Sequence, residues 1–290
     1  MIDAPTHCPA CGDVPIAAFT RRDVSLVRSP GCGLEWQRPF PSEESLAALY
    51  RADYFERWGV GTSEERMRRV RRMKEATHRA FLARVLALRP AGGRLLDVGC
   101  AFGFLLGVAG ELGFEAYGLD LNTDAVSVAR REFGDRVHAG VLGPDAFPGL
   151  AFDVVTLIDV LEHVPDPRAL LNAAAGVLRA RGVLAAVLPN AASLARRLLG
   201  RRWPHYAPEH LYHWTPAALR RFLSENGWRV LALETGVRKT YTTEYLQSYS
   251  KALGGWLPPG LGLLGNRRLR VPTGEMLVIA ERPAESSSGA

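Results

Sequence analysis

RLLDVGCAFGFLL, residues 94–106, is the stretch on which the reading of this chain turns. An apolar run ends in a loop carrying Gly99, Cys100, Ala101 and Gly103, and a second apolar run follows. A strand that feeds a tight turn into a helix has this pattern, and in an open sheet such a turn faces a ligand. A dinucleotide site would need G-x-G-x-x-G, with the second glycine admitting a pyrophosphate and the third admitting the helix. Counted from Gly99, those positions hold Ala101 and Phe104, so two of the three requirements fail. The phosphate loop G-x-x-x-x-G-K-[ST] is absent as well.

From this stretch to the carboxy-terminal side, apolar strands alternate with amphipathic helices. The pattern predicts strands over 94–99, 115–120, 136–140, 153–159, 182–189, 228–234 and 275–280. Helices are predicted near 104–112, 123–133, 167–180 and 216–226, the third started by Asp166 as N-cap with Pro167 in the first turn. Such alternation argues for an α/β fold with a parallel sheet covered on both faces. Two stretches interrupt it, 190–215 and 236–274, and insertions after strands of an open sheet build the substrate side.

With Asp97 before the loop, the series resembles the first motif of class I S-adenosylmethionine-dependent methyltransferases, D/E-x-G-x-G-x-G, with Ala101 in place of the middle glycine. The resemblance implies a Rossmann-like seven-stranded sheet of order 3-2-1-4-5-7-6, strand 7 antiparallel, joined to a small amino-terminal Cys-containing module and helices. It implies S-adenosylmethionine as cofactor. Asp97 would accept hydrogen bonds near the cofactor ammonium, and Asp120, in YGLDLN, would accept the ribose hydroxyls. Gly99, Cys100, Ala101, Gly103, Leu121, Leu142 and Asp159 complete the expected cofactor set. Turn capping is the plain alternative for either acid taken singly.

The stretch 152–167, FDVVTLIDVLEHVPDP, resembles the fourth-strand motif of small-molecule methyltransferases. The Asn/Asp-Pro-Pro-Tyr motif of nucleic-acid N-methylating enzymes is not there. In ubiquinone-pathway O-methyltransferases, acid-x-x-Glu-His at this point can bind magnesium, and Asp159, Glu162 and His163 match it. Capping of the loop by the same groups is the preferred reading here. RRWPHYAPEHLYHWT, residues 201–215, resembles the segment after the fifth strand of sugar C-methyltransferases, where a Tyr-x-Glu-His histidine acts as base. Glu209 and His210 fit that pattern, and Tyr206 stands one residue too far away. The expected catalytic set is His210, Glu209, Tyr206 and His163. Packing of an aromatic lid is the alternative for each histidine.

Ahead of all this lies HCPACG, with Cys8 and Cys11 at C-x-x-C spacing, and later SPGCG, where Cys32 is present but Ser29 stands in the position of the other cysteine. Together with PFPSEESLAALY the arrangement resembles the zinc-binding amino-terminal module of sugar C-methyltransferases. Structural zinc wants four thiolate or imidazole ligands, so zinc on Cys8, Cys11 and Cys32 and a metal-free relic both stay open. The expected organisation is a zinc-knuckle-like module over 1–40, a helical linker or cap over 41–90, a methyltransferase domain over 91–282 and a disordered tail over 283–290.

The chain has 290 residues, 47% of them hydrophobic, enough for a sizeable core. Its 4 cysteines are too few for a disulfide scaffold, and no signal peptide or membrane-spanning run is read, so a cytoplasmic protein is expected. The net charge of +6 is concentrated in residues 64–89, where nine Lys and Arg face three Glu on a predicted helix with an apolar stripe. A solvated helix face is preferred there to a nucleic-acid surface. The expected reaction is methyl transfer to oxygen or carbon of a small-molecule acceptor: a sugar, a phenol or quinone precursor, or a secondary metabolite. The rivals are a nucleic-acid-modifying methyltransferase using the basic helix, and a non-catalytic cofactor-binding partner. Membrane contact through WLPPGLGLLG, residues 256–265, is weighed against simple loop packing. A monomer or homodimer is expected.

Overall fold

A computed structural model describes residues 2–21, 24–49, 64–89, 92–252 and 267–282. The apolar stretch 256–265 and the tail 283–290 lie outside the described residues.

The run 94–106 folds as read. β4 (Arg94–Val98) enters the loop, and α3 (Phe104–Glu111) leaves it. β5 (Glu115–Asp120), α4 (Thr123–Phe133), β6 (Val137–Ala139), β7 (Phe152–Ile158), α5 (Pro167–Val177) and β8 (Leu178–Pro189) continue the alternation. With β10 (Arg229–Thr242) and β11 (Arg268–Glu281) they form one seven-stranded sheet, ordered β6-β5-β4-β7-β8-β11-β10. β11 runs antiparallel to both neighbours, while β4 pairs in parallel with β5 and β7, and β7 with β8. In order of appearance this is 3-2-1-4-5-7-6 with the seventh strand antiparallel, as expected.

Period-two alternation divides the core between the two faces. Leu96, Val155, Leu184 and Val278 pack with Leu171 of α5 and with Leu219, Phe222 and Leu223 of α7 (Pro216–Glu225). Leu95, Val154, Val183 and Leu277 pack with Phe81, Leu82 and Val85 of α2 (Glu64–Leu86) and with Leu105, Leu106 and Val108 of α3. The helix starts carry their caps: Asn122 accepts from the Ala125 amide, Asp166 from Ala169, and Thr215 from Ala218.

Several boundaries differ from expectation. The helix read over 167–180 ends at Val177, because Leu178 already pairs with Phe152. The strands read over 228–234 and 275–280 are the inner halves of a longer hairpin, whose ladder runs on from Val237 with Glu275 to Thr242 with Arg268. Both ends of the interruption 236–274 are therefore strand, and α8 (Thr243–Ala252) follows the first of them. The turn-rich first forty residues hold β1 (Ile16–Arg21), β2 (Val24–Arg28) and β3 (Glu35–Gln37), with α1 (Glu43–Leu49) after them. These strands are too short for a periodicity signal. Their sheet is closed by β9 (Tyr212–His213) from the other interruption, where Trp36 faces Tyr212. The short α6 (Leu194–Leu199) precedes that strand.

Candidate active site

The β4 loop is held open by backbone conformation. Gly99, Ala101 and Gly103 all have positive φ, at 80°, 46° and 74°. A side chain at Gly99 would strike Val160, and one at Gly103 would strike Phe133, so neither position admits a Cβ. Ala101 holds the left-handed region with a methyl group, a strained choice. Leu119 anchors the loop by accepting from the amides of Gly99 and Cys100. Cys100 is buried beneath it, and burial pushes its thiol up.

Two carboxylates flank the loop. Asp97 sits on β4, buried to 4% exposure, and accepts from the Thr156 hydroxyl at 2.6 Å on the adjacent strand. Burial, aided by the nearby Asp120, raises its pKa to about 7, with the Thr156 hydrogen bond opposing. Asp120 ends β5 and accepts from the amides of Ala101 at 2.7 Å and Asn122 at 2.8 Å. It ties the loop to the turn that caps α4. Leu121 beside it is exposed, and Leu142 is half-buried against the core.

Asp159, at the end of β7, has φ 54° and both carboxylate oxygens on Lys239, at 2.9 and 3.2 Å. The same ammonium reaches Glu275 at 2.6 Å. The set matched to magnesium is thus divided. Asp159 is occupied by a cation of the β10–β11 hairpin, and the groups that converge are Glu162, His163 and His210. Glu162 is buried with neither carboxylate oxygen hydrogen-bonded, and burial holds its pKa well up. His163 shares a hydrogen bond between Nδ1 and the Glu209 carbonyl, and its ring meets that of His210 edge-on at 4.6 Å. Burial holds His210 well below the ordinary histidine value, with His163, His205 and His213 adding to it, and Nδ1 of His210 has no partner. His163 and His205 are lowered to about 4 by burial.

Tyr206 lies apart from this group. Its hydroxyl donates to Glu35 at 2.6 Å and accepts from Arg196 at 3.0 Å, and Arg196 closes the triangle on Glu35 at 2.7 Å. This tethers the 190–215 segment to β3. Gln37 of β3 donates to the carbonyls of Pro208 and His210, so the first sheet sets the backbone that carries Glu209 and His210. Neither Glu35 nor Gln37 stands out in the sequence; two short polar residues in a three-residue strand give no pattern. Lys239 and Glu275 escaped notice too: Lys239 lies on a strand extension read as loop, and Glu275 is the first residue of the strand read over 275–280, whose partner cation could not be foreseen.

The four groups singled out near the amino terminus come together. Sγ of Cys32 lies 3.5 Å from that of Cys8 and 3.3 Å from that of Cys11, and Ser29 Oγ lies 3.1 and 3.3 Å from Cys11 and Cys32. Ser29 donates to Asp13, a residue the sequence did not flag. The Cys32 carbonyl accepts from Thr215, which ties the cluster to the start of α7.

The basic helix spends much of its charge internally. Arg69 pairs with Glu65 and Glu244, Arg71 with Glu75 and Glu132, Arg79 with Glu111, Arg84 with Glu234 and Arg89 with Glu281. No helix among the described residues is long and apolar enough to cross a membrane.

Comparison with known proteins agrees with this geometry. A family model described as a methyltransferase domain matches residues 64–233. The chain is 41% identical over 103 residues to a ubiquinone biosynthesis O-methyltransferase of Xanthomonas axonopodis pv. citri, covering 33% of this chain and 43% of that protein. It is 32% identical over 151 residues to the protein of the same name from Thiobacillus denitrificans, covering 47% and 65%. The match thus spans about half the length of these curated relatives. Among solved structures, magnesium protoporphyrin IX methyltransferase from Synechocystis PCC 6803, with bound SAH, superimposes at TM-score 0.54 and 16% identity over 83% of this chain and 100% of that one. The 1,6-didemethyltoxoflavin-N1-methyltransferase of Burkholderia thailandensis does so at 0.51 and 16%, over 92% and 99%. At these identities the likeness is one of fold. The family model covers more than half of the chain, and the sheet order and the glycine loop between two carboxylates agree with it: the chain belongs to the methyltransferase domain family.

Proposed function

We propose that the protein binds S-adenosylmethionine over the β4 loop and transfers its methyl group to an oxygen or carbon of a small-molecule acceptor. The observation that carries this reading is the loop itself, left-handed at three positions and set between Asp97 and Asp120. Bound there, the cofactor supplies an electrophilic methyl group on a sulfonium. Backbone at Gly99, Cys100, Ala101 and Gly103 allows its close approach. Asp97, once ionised, receives the ammonium. Asp120 keeps lone pairs for the ribose hydroxyls beyond those used by Ala101 and Asn122. Leu121 and Leu142 offer apolar surface to the base.

On the acceptor side, His210 is the proton acceptor. Burial keeps its imidazole neutral, and Nδ1 has no competing donor. Glu209 and His163 position it, since the Glu209 carbonyl is bound to the His163 ring. Tyr206 contributes by fixing the segment through Glu35. Asp159, held by Lys239, does not fit a magnesium ligand. The cysteine cluster does fit structural zinc. Zn–S bonds of about 2.3 Å place tetrahedral sulfurs somewhat under 4 Å apart, close to the observed spacing. Cys8, Cys11 and Cys32 would hold it, with Ser29 as the fourth group, steadied by its hydrogen bond to Asp13. A nucleic-acid acceptor is disfavoured by the internal pairing of the basic helix.

Calorimetry tests the cofactor reading. S-adenosylmethionine should bind and NAD should not, and Asp120→Ala should weaken binding by about 1.5–3 kcal/mol, the worth of hydrogen bonds to a charged acceptor. Unchanged affinity in that variant would remove Asp120 from the site.

A further inference from the structure

A cavity of about 280 Å³ lies between α2 and the β10–β11 hairpin, at the end of the sheet where β7 stops. Lys74, His78, Asp159, Arg238, Lys239 and Arg270 contribute its polar lining. The acids that line the cavity are engaged by cations, and Asp159 and Glu275 also attract the Lys74 ammonium. Asp159 and Glu275 share Lys239, and Glu234 on the wall pairs with Arg84. The cations are not all matched. Lys74, Arg238 and Arg270 have no hydrogen-bond or ion-pair partner among the described residues. Arg238 and Arg270 are exposed, and Lys74 is half-buried. Burial and the Lys239 charge pull the Lys74 ammonium below its ordinary value. Nδ1 of His78 is buried with no partner. Burial and the two lysines hold that imidazole neutral, free to donate one hydrogen bond. The lining thus holds more donors and cations than acceptors: Lys74, Arg238, Arg270 and His78 Nδ1 lack a hydrogen-bonded acceptor, a surplus that an anion completes.

The cavity also borders the site described above. Its residue Asp159 precedes Val160, whose side chain closes on Gly99 of the cofactor loop, and the Asp159 charge acts on His163 and His205. Phe81, Val187 and Leu277 add an apolar side, suited to a carbon skeleton attached to the anion.

We propose that this cavity receives a carboxylate or phosphate group of the acceptor, with Lys74 as its principal partner and Arg238 and Arg270 at the mouth. The acceptor is then an acidic small molecule, whose charged end is anchored here while its nucleophile faces the histidine group. This rests on the methyl-transfer reading. A carboxylate could also come from the methionine end of the cofactor, so the test separates the two sources.

The full chain, saturated with S-adenosylhomocysteine, is titrated with benzoate, phenyl phosphate and the neutral benzyl alcohol, and binding is read by calorimetry. One of the anions should bind saturably and more tightly than the alcohol. Lys74→Met should weaken that anion at least about tenfold, the worth of one charge-assisted hydrogen bond, and leave the affinity for S-adenosylmethionine unchanged. The double variant Arg238→Gln, Arg270→Gln alters only exposed side chains, and should weaken the anion and flatten its salt dependence even if Lys74→Met fails to fold. Equal binding of anion and alcohol, or anion affinity unmoved by either variant, overturns the proposal. A loss confined to S-adenosylmethionine in Lys74→Met also overturns it, assigning Lys74 to the cofactor carboxylate. If wild-type protein binds no S-adenosylmethionine, the methyl-transfer reading fails by itself. Phenyl phosphate binding to the cofactor-free chain then still decides whether the cavity takes anions.

Discussion

Lowering the pH from 7.5 to 6.0 should weaken S-adenosylmethionine binding about eightfold, through one carboxyl group. Asp97 is buried on β4 with a pKa raised to about 7, so near neutrality the free protein holds it part protonated. The cofactor ammonium needs the ionised form, and binding therefore releases a proton. For one coupled group the apparent Kd scales as 1 + 10^(pKa − pH), which is about 11 at pH 6.0 and about 1.3 at pH 7.5. The ratio corresponds to about 1.2 kcal/mol. An α-amino group titrates near 7.7–8.0, so the cofactor stays mostly cationic across this window. The sign is fixed by the direction of the shift: a carboxyl raised above its ordinary 3.8 gains affinity for a cation as pH rises. Without cofactor, the same shift makes folding less favourable as pH climbs from about 4 towards 7. Calorimetry at the two pH values, in buffers of different ionisation enthalpy, measures both the affinity and the proton released. Asp97→Asn should bind weakly with a flat profile. Thr156→Val removes a hydrogen bond that favours the ionised form, and should move the profile to higher pH. Equal Kd at pH 6.0 and 7.5, or a slope that survives in Asp97→Asn, would refute the reasoning.

Ala101→Gly relieves a left-handed alanine and should stabilise the fold by about 0.5–1 kcal/mol after the entropy cost of glycine, raising Tm by a few degrees; a lower Tm on thermal unfolding would count against strain there. Protein expressed with added zinc should carry one zinc per chain by elemental analysis, and Ser29→Cys should tighten it by completing four thiolates; a zinc-free wild type would make the cluster metal-free. His210→Ala should lower turnover by about 10²–10⁴ with cofactor affinity retained, and turnover within a few-fold of wild type would reduce His210 to a packing residue.

The parts of the protein readable from sequence are those fixed by local chemistry. Gly99 and Gly103 flank a turn that only their backbone allows, and Asp166 with Pro167 marks a helix start whatever surrounds it. Continuous apolar runs at β4, β7 and β8 announce strands buried on both faces, and the sheet order follows from the resemblance they support. The parts that escaped depend on partners distant in the chain. Lys239 looks like one more loop cation until β11 brings Glu275 beside it, and Asp159 looks like a free acid until Lys239 arrives. Glu35 acquires its role only from Arg196 and Tyr206. The basic helix reads as a surface feature because its compensating acids, Glu111, Glu132 and Glu281, belong to other elements.

The pairing of β3 with β9 imposes an order on folding. Trp36, fully buried in the finished protein, emerges from the ribosome roughly 175 residues before its partner Tyr212. At about 5–20 residues per second, β3 waits on the order of 10–35 s for the strand that closes its sheet. Throughout that interval Trp36 and Phe40 lack their final cover, and Cys32 lacks the Thr215 contact of the finished protein. A metal ion taken up by the thiols of Cys8, Cys11 and Cys32 would fold the first segment ahead of its partner strand.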